Sequence, residues 1–273
     1  ALDGNALADR NRNTIEDISR IVPTVDFRSG IGNKDRTIFI RGVGTITTSP
    51  GVEPSVATVI DGVVLARPGQ STVDLLDIER IEVLRGPQGT LFGKNASAGV
   101  VNIISRAPAA ELGVDVQAAY YEGNEYRLKV GASGPLGGDW SFALTGLLAG
   151  YDGNVVNVNT GEHVNGYDRR GARGKLVYAP SDDLRLTLSA DYSYTFEDVP
   201  TGVFVSASRV SFPSGAVNTN AALVASLAAA GITPGLDNKE VSPSFNSDVR
   251  DHSYGGSATL ELGLGDYQLT SIT

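Results

Sequence analysis

The chain of 273 residues contains neither cysteine nor methionine. Without cysteine there is no disulfide, no thiolate nucleophile and no sulfur-ligated metal, so the fold rests on packing and hydrogen bonds alone. That suits an exported protein that does not depend on disulfides. The lack of methionine, with no charged-then-apolar leader at Ala1, points to a natural start outside this sequence. The two histidines, His163 and His252, stand far apart and have no metal-ligand spacing. No Ser-His-Asp set and no paired carboxylates are readable, so neither an enzyme nor a bound metal or cofactor is expected.

Long apolar runs are also missing. The longest, residues 221–232, has about twelve residues where a membrane-spanning helix needs about twenty. Rich in alanine and preceded by Asn218-Thr-Asn220, it reads as a short surface helix. A basic excess is absent too: the net charge is −9, and lysines and arginines are not clustered, which excludes a nucleic-acid-binding face.

What is present divides near Pro108. Residues 1–110 hold 12 acidic and 12 basic side chains, so the other 19 acidic and 10 basic ones carry the whole net charge. All 10 tyrosines and the single tryptophan lie after residue 110. Two domains are therefore expected, 1–110 and 111–273.

The first reads as a small α+β unit. Thr14-Ile-Glu-Asp17 is a capping-box type of helix start, with Ile15, Ile18 and Ile21 at helical spacing. Strands are expected at 37–41, 56–61, 78–84 and 99–105, and a helical turn at 73–76. Loops are expected at 28–36, 43–54 and 65–71, the kind of segment on which binding residues sit. Between residues 78 and 108 a strand stops at Arg85-Gly86-Pro87, a glycine turn carries Leu91-Phe92, and Val100 to Arg106 re-enters a strand. That turn is no phosphate-binding P-loop: Gln88 stands where the first glycine is needed, and Asn95 where a hydroxyl should hold magnesium.

This segment, with Thr37-Ile-Phe-Ile-Arg41-Gly42 and Ser55-Val-Ala-Thr-Val-Ile-Asp61-Gly62-Val upstream in the same order, resembles the plug domain of TonB-dependent outer-membrane receptors, from about residue 7 to about residue 108.

The second domain reads as antiparallel transmembrane β-barrel strands. Over 184–196, Leu184, Leu186, Leu188, Ala190, Tyr192, Tyr194 and Phe196 alternate with Arg185, Thr187, Ser189, Asp191, Ser193 and Thr195. Such unbroken alternation suits a tilted span between lipid and a polar lumen. Similar patterns occupy 112–121, 126–133, 140–150, 169–179, 252–263 and 266–273. Connections at 134–139, 180–183 and 263–266 are short, whereas 151–167 and 197–249 are long, the arrangement of inner turns and outer loops in such barrels. Trp140, Tyr178 and Tyr267 mark the short-turn side; Tyr120, Tyr126, Tyr192, Tyr194, Phe196 and Tyr254 mark the long-loop side, as two interface belts.

The resemblance implies more. Barrels of this kind have about 22 strands around a plugged lumen; roughly seven are readable here, so a truncated barrel is expected. The implied function is energy-coupled uptake of a scarce nutrient at the outer membrane of a Gram-negative bacterium. The implied partners are outer-membrane lipid and TonB, the latter through an N-terminal segment not in this sequence. Alternatives are a signal-transducing receptor of the same fold, or an importer of cobalamin, haem or a carbohydrate. Arg41 and Arg85, joined by Glu82, are implied to lock the plug to glutamates of the barrel. Arg28, Asn33, Lys34, Thr47, Thr48, Arg67 and Gln70 are ligand-contact candidates by loop position. A ferric siderophore is the expected cargo: no histidine lies in residues 1–108 for haem, and the 197–249 loop has no tyrosine or tryptophan for stacking a sugar. That loop carries five acids against two bases, a balance that would favour a neutral or cationic cargo or hold calcium.

Overall fold

The computed structural model describes residues 1–10, 12–30, 32–45, 52–65, 76–207, 210–215 and 217–273. Its N-terminal part is a mixed sheet. Strands β1 (Leu2–Asp3), β2 (Val25–Gly30), β3 (Gly32–Ile40), β4 (Val56–Ile60), β5 (Val63–Val64), β6 (Ile78–Arg85) and β7 (Gly99–Ser105) form a five-stranded sheet of order β1-β6-β7-β4-β5 and a separate β2–β3 pair. Only β4 and β7 run parallel. Ile81, Val101 and Ile103, each fully buried, pack with Ile18, Val25, Ile38 and Ile40, which ties the two sheets together through one apolar core.

Helix α1 (Gly4–Asp9) is capped by Asp3, whose carboxylate accepts the amides of Asn5 and Ala6 at 3.0 Å. Sequence periodicity missed this helix because it is under two turns long. The expected helix after Thr14 is a 3₁₀ helix, Glu16–Arg20. Its start has the expected chemistry, with the Asp17 carboxylate accepting the Thr14 amide at 3.1 Å and hydroxyl at 3.0 Å. The expected loop at 28–36 is instead the paired stretch of β2 and β3. Val25 opposite Ile40 and Phe27 opposite Ile38 face the core, while the Arg28 guanidinium lies 4.4 Å over the Phe39 ring on the other face. Glycines and charges between these residues hid the alternation in the sequence. Of the turn expected at 73–76, only Leu76 lies within the described residues.

The second part is a seven-stranded antiparallel sheet, the wall. Its strands are β8 (Gly113–Tyr121), β9 (Glu125–Gly137), β10 (Trp140–Tyr151), and, after β11 (Val155–Asn157) and β12 (His163–Val164), β13 (Tyr167–Ser181) and β14 (Leu184–Asp198). After β15 (Val210–Ser211), β16 (Val217–Asn218) and β17 (Glu240–Val241) come β18 (Asp248–Leu264) and β19 (Tyr267–Ile272). Each strand falls on an expected span: β9, β10, β13, β14 and β18 run past it where backbone pairing continues beyond the alternation, and β8 and β19 stop one residue short at one or both ends. Two faces are distinct: Val116 and Leu144 are 61% and 54% exposed on one, whereas Leu147 and Val177 are 3% and 2% exposed on the other. The second, inner face looks at the N-terminal part.

Beyond the ends of the wall strands the two long loops knit together. Strands β11, β12 and β17 make a small sheet. Asn157, fully buried, donates to the Pro243 carbonyl at 3.1 Å and to Asn246 at 2.7 Å. Asn165 donates to the Thr201 carbonyl and accepts the Thr201 amide at 2.7 Å. Helix α3 (Ala221–Ala229), after the four-residue α2 (Gly89–Phe92), is the alanine-rich surface helix expected from the sequence.

Candidate functional site

The seam between the N-terminal part and the inner face of the wall is where charge is buried. On β9, β10 and β13 the inner-face residues are Arg127 and Lys129, then Ala143, Thr145, Leu147 and Ala149, then Arg169, Arg173 and Lys175. Period-two alternation predicts a polar face on such strands but not what meets these bases.

At one point a carboxylate is shared. Glu197, at the end of β14 and only 8% exposed, binds Arg36 of β3 through Oε2 and Arg169 through Oε1 at 2.6 Å. Arg169 also lies 4.4 Å over the Tyr167 ring, whose hydroxyl donates to Glu125 at 2.7 Å. One carboxylate thus ties the β2–β3 pair to two wall strands. Neither Arg36 nor Glu197 stood out in the sequence: Arg36 has no motif around it, and Glu197 reads as the first acid of a loop.

A second tie runs from the turn after β4. Asp61 and Gly62, at φ 48° and 85°, form the two-residue turn into β5, a conformation that aspartate tolerates and glycine favours. A Cβ on Gly62 would come within 2.6 Å of Ile272 on the wall. Lys175 Nζ lies 3.5 Å from Asp61 Oδ2 and donates to the Ser105 carbonyl at 3.4 Å. Burial alone would raise the Asp61 pKa, but the Ser105 hydroxyl, Lys175 and the Ser105 amide outweigh it and hold the carboxyl below its ordinary value. Asp77, at φ 50° just before β6, behaves oppositely: burial dominates and lifts its pKa despite the fields of Lys129, then Arg106 at 3.5 Å.

The residues expected to lock the two parts lie elsewhere. Arg41 occupies the left-handed turn Arg41-Gly42 between Ile40 and Val43 and is exposed. Arg85, at the end of β6, is exposed as well. Neither has an ion-pair partner among the described residues. Glu82 accepts from Arg80 at 2.9 Å and from Asn102 at 3.1 Å, bonds that depress its pKa and brace the N-terminal sheet internally. Of the ligand-contact candidates, Arg28 is exposed and paired with Asp26 at 3.1 Å. Asn33 and Lys34 lie on β3, with side chains outside the described ones, and Thr47, Thr48, Arg67 and Gln70 lie outside the described residues. An open cleft of about 680 Å³ under the knitted loops, lined by Tyr126, Tyr151, Tyr167, Glu162 and Asp198 among others, escaped sequence reading because its walls come from five separate segments. Several loop acids counted as free charge are engaged: Glu197 by two arginines, Asp198 by the Gly166 amide at 2.8 Å, and Asp248 by Arg250 at 2.8 Å.

On the outer face the aromatics cluster in two bands. Trp140 stacks on Tyr178 at 4.6 Å beside one short turn, and Tyr267 follows another. Toward the long loops Tyr120 pairs with Tyr126, Tyr192 with Tyr254, and Tyr194 packs 4.8 Å from His252. Leu186, opposite Tyr178, precedes Tyr194 on the same face of β14 by eight residues, roughly 26 Å at about 3.3 Å per residue.

Residues 1–100 match the family model described as the TonB-dependent Receptor Plug Domain. The chain is 30% identical over 179 residues to the pesticin receptor of Yersinia pestis, covering 64% of this chain and 26% of that one. It is 28% identical over 213 residues to the ferric enterobactin receptor PirA of Pseudomonas aeruginosa, covering 67% and 29%. It thus spans about a quarter of the length of the curated relatives it matches. Among solved structures, the ferric yersiniabactin uptake receptor FyuA of Yersinia pestis superposes with a TM-score of 0.77 at 21% identity, covering 96% of this chain and 38% of that one. The ferric-catecholate import receptor Fiu of E. coli K12 gives 0.70 at 18% identity, covering 99% and 37%. At these identities the superpositions establish the fold: a plug and antiparallel barrel strands.

Two outcomes are expected at the seam. Glu197→Ala leaves two guanidiniums facing each other and should weaken docking of β2–β3 on the wall by about 3 kcal/mol, the low end for a broken buried pair because its members keep some exposure. Faster amide exchange in β2 and β3, with β9 and β13 unchanged, is the sign; uniform exchange across both parts would contradict it. The two aspartates should also separate on acidification. Asp77, with a raised folded pKa, takes its proton first, and stability from that site rises as pH falls through its folded value. Asp61, with a depressed one, holds its contribution above its unfolded value and loses it only as pH falls through its lower folded value. Followed by exchange from neutral pH to about pH 3, Asp61→Asn should remove the late acid loss and Asp77→Asn should not.

Proposed function

We propose that this chain, which through its plug domain belongs to the TonB-dependent receptors, serves energy-coupled import of a ferric siderophore at the outer membrane of a Gram-negative bacterium. The observation that carries the reading is the nature of the seam. A folded plug rests on the inner face of the wall through ion pairs, polar contacts and one small apolar cluster, Leu76 against Leu147 and Ala149, rather than through an extended shared core. Such contacts hold a gate shut and still break one at a time under load, whereas a common core would have to unfold. The outer face, with its exposed Val, Leu and Tyr rows between two aromatic bands, meets lipid.

The cargo follows from two lines of support. Relatives similar to this chain are named for ferric enterobactin and ferric yersiniabactin, and are receptors rather than enzymes. Three of the five loop acids, Glu197, Asp198 and Asp248, are engaged locally, which weakens the argument for a cationic cargo. TonB is the proposed partner on the inner side. Arg28, Asn33, Lys34, Thr47, Thr48, Arg67 and Gln70 remain proposed ligand contacts at the plug apices. Arg41 and Arg85, exposed at strand ends, are proposed to pair with wall carboxylates outside the described strands.

Iron starvation should induce the full-length receptor, and a deletion strain should lose growth on iron supplied with its own siderophore. Induction by a sugar or by cobalamin limitation, with no iron response, would overturn the cargo. Arg41→Ala and Arg85→Ala in the full-length receptor should loosen the plug without unfolding the barrel, admitting large antibiotics. Unchanged permeability in both, with unchanged plug exchange, would refute that lock.

A further inference from the structure

Among the described residues the inner faces of β9, β10 and β13 carry five bases and one acid, Glu125, which sits at the loop end of β9 and accepts from the Tyr167 hydroxyl at 2.7 Å. Ala149, Leu147, Thr145 and Ala143 run along the middle strand. On one side Arg127 stands opposite Ala149 and Lys129 opposite Leu147. On the other, Arg169 stands opposite Ala149, Arg173 opposite Thr145 and Lys175 opposite Ala143. Gly131, Ser133, Gly171 and Ser141 are small inner-face positions between these bases, and Tyr151 and Tyr167 stand opposite each other at the end where Glu125 lies. The result is a narrow neutral floor with cationic sides.

The negative charge that balances this lane comes from two sources that differ in mobility. Arg169 and Arg173 have carboxylates of the adjacent wall strand, Glu197 at 2.6 Å and Asp191 at 3.8 Å. Those partners move with the wall. The leading acids beside the two lysines come from the plug, with Asp115 of wall strand β8 a lesser neighbour of Lys129. Lys175 is paired with Asp61. Lys129 feels Asp77 as its leading charged neighbour, ahead of Arg106, Asp115 and Arg127. Lys129 and Asp77 face each other across an open cleft of about 570 Å³ that Arg106, Asp115 and Thr145 also line. A lysine in such a half-buried place stays charged at low cost only while an anion is near.

We infer that Lys129 and Lys175 form a plug-gated lane for anionic cargo: the plug carboxylates Asp77 and Asp61 neutralise it when docked, and anionic oxygens of the passing chelate replace them when the plug moves. The inference rests on the importer reading, because only a plug that shifts uncovers the lane. It narrows the cargo to chelates that carry negative charge. It also gives the plug acids a second use, since they occupy the sites the cargo must take and so keep other anions out of the closed receptor.

Ion selectivity tests this without knowing the cargo. The full-length receptor is placed in a planar bilayer, the plug is displaced with urea, and the reversal potential is read in a potassium chloride gradient. Lys129→Gln with Lys175→Gln should lower the chloride-to-potassium permeability ratio by roughly twofold or more, since charged walls concentrate counter-ions in a narrow lumen. Lys129→Arg with Lys175→Arg should match the wild type. Asp61→Asn with Asp77→Asn should leave the ratio of the displaced state unchanged, because the plug is out of the lane. A wild-type ratio in the glutamine pair, an equal fall in the arginine pair, or no conductance on displacing the plug would overturn the lane. Loss of the iron response with the selectivity result intact would overturn the iron cargo and leave an anion lane standing.

Discussion

Everything else in this structure depends on filling a polar-lined barrel with a folded domain without leaving charge unpaired. An inner face that is wet when open must carry polar and charged groups, and the same groups are desolvated when a plug sits on them. An unpaired buried charge costs several kcal/mol, about 3–5 when one partner of a buried pair is removed. The plug answers with carboxylates at fixed places. Asp61 and Asp77 both sit in left-handed turns at the ends of sheet strands, where the backbone rather than a flexible loop sets their position. Glu197 does the reverse, reaching from the wall to bind Arg36 of the plug and Arg169 of its own sheet.

This arrangement separates two kinds of strength. The plug coheres through an apolar core of Ile18, Ile40, Ile81, Val101 and Ile103, whose burial is cooperative and survives small displacements. The wall coheres through continuous backbone pairing across seven strands. Between them lie a few ion pairs, a three-residue apolar cluster of Leu76, Leu147 and Ala149, a glycine turn against Ile272 and open clefts. The weakest joint is therefore the one that the proposed import would open. On the far side the long loops are held by amide networks, with Asn157 as hub, so the outer mouth has a fixed shape rather than loose ends.

Much of this was legible in the sequence because alternation with period two survives in strands that have lipid on one side. The span at 184–196, the short turns and the two aromatic bands all follow from that pattern. The plug sheet was legible where apolar runs end in Gly or Pro, as at Arg85-Gly86-Pro87. Legibility failed at β2 and β3, where glycines and charges interrupt the alternation, and at α1, too short to show a period. It failed most at the seam. Glu82 and Arg85, three residues apart, invited a pairing that β-sheet geometry does not favour, since residues three apart on a strand point to opposite faces. Glu82 turned to Arg80 and Asn102 on its own side.

The sequence by itself determined the seven wall strands, the two faces of the most regular of them and the plug motifs. These are local properties, fixed by period, turn chemistry and side-chain type. Only the tertiary structure decided which charges meet. Arg36 and Glu197 are 161 residues apart, Asp61 and Lys175 more than a hundred, and no local pattern links them. Their meeting depends on how the plug is seated against the curve of the wall. That seating is set by the sum of many contacts, and electrostatic pairing at a few ångströms is sensitive to all of them.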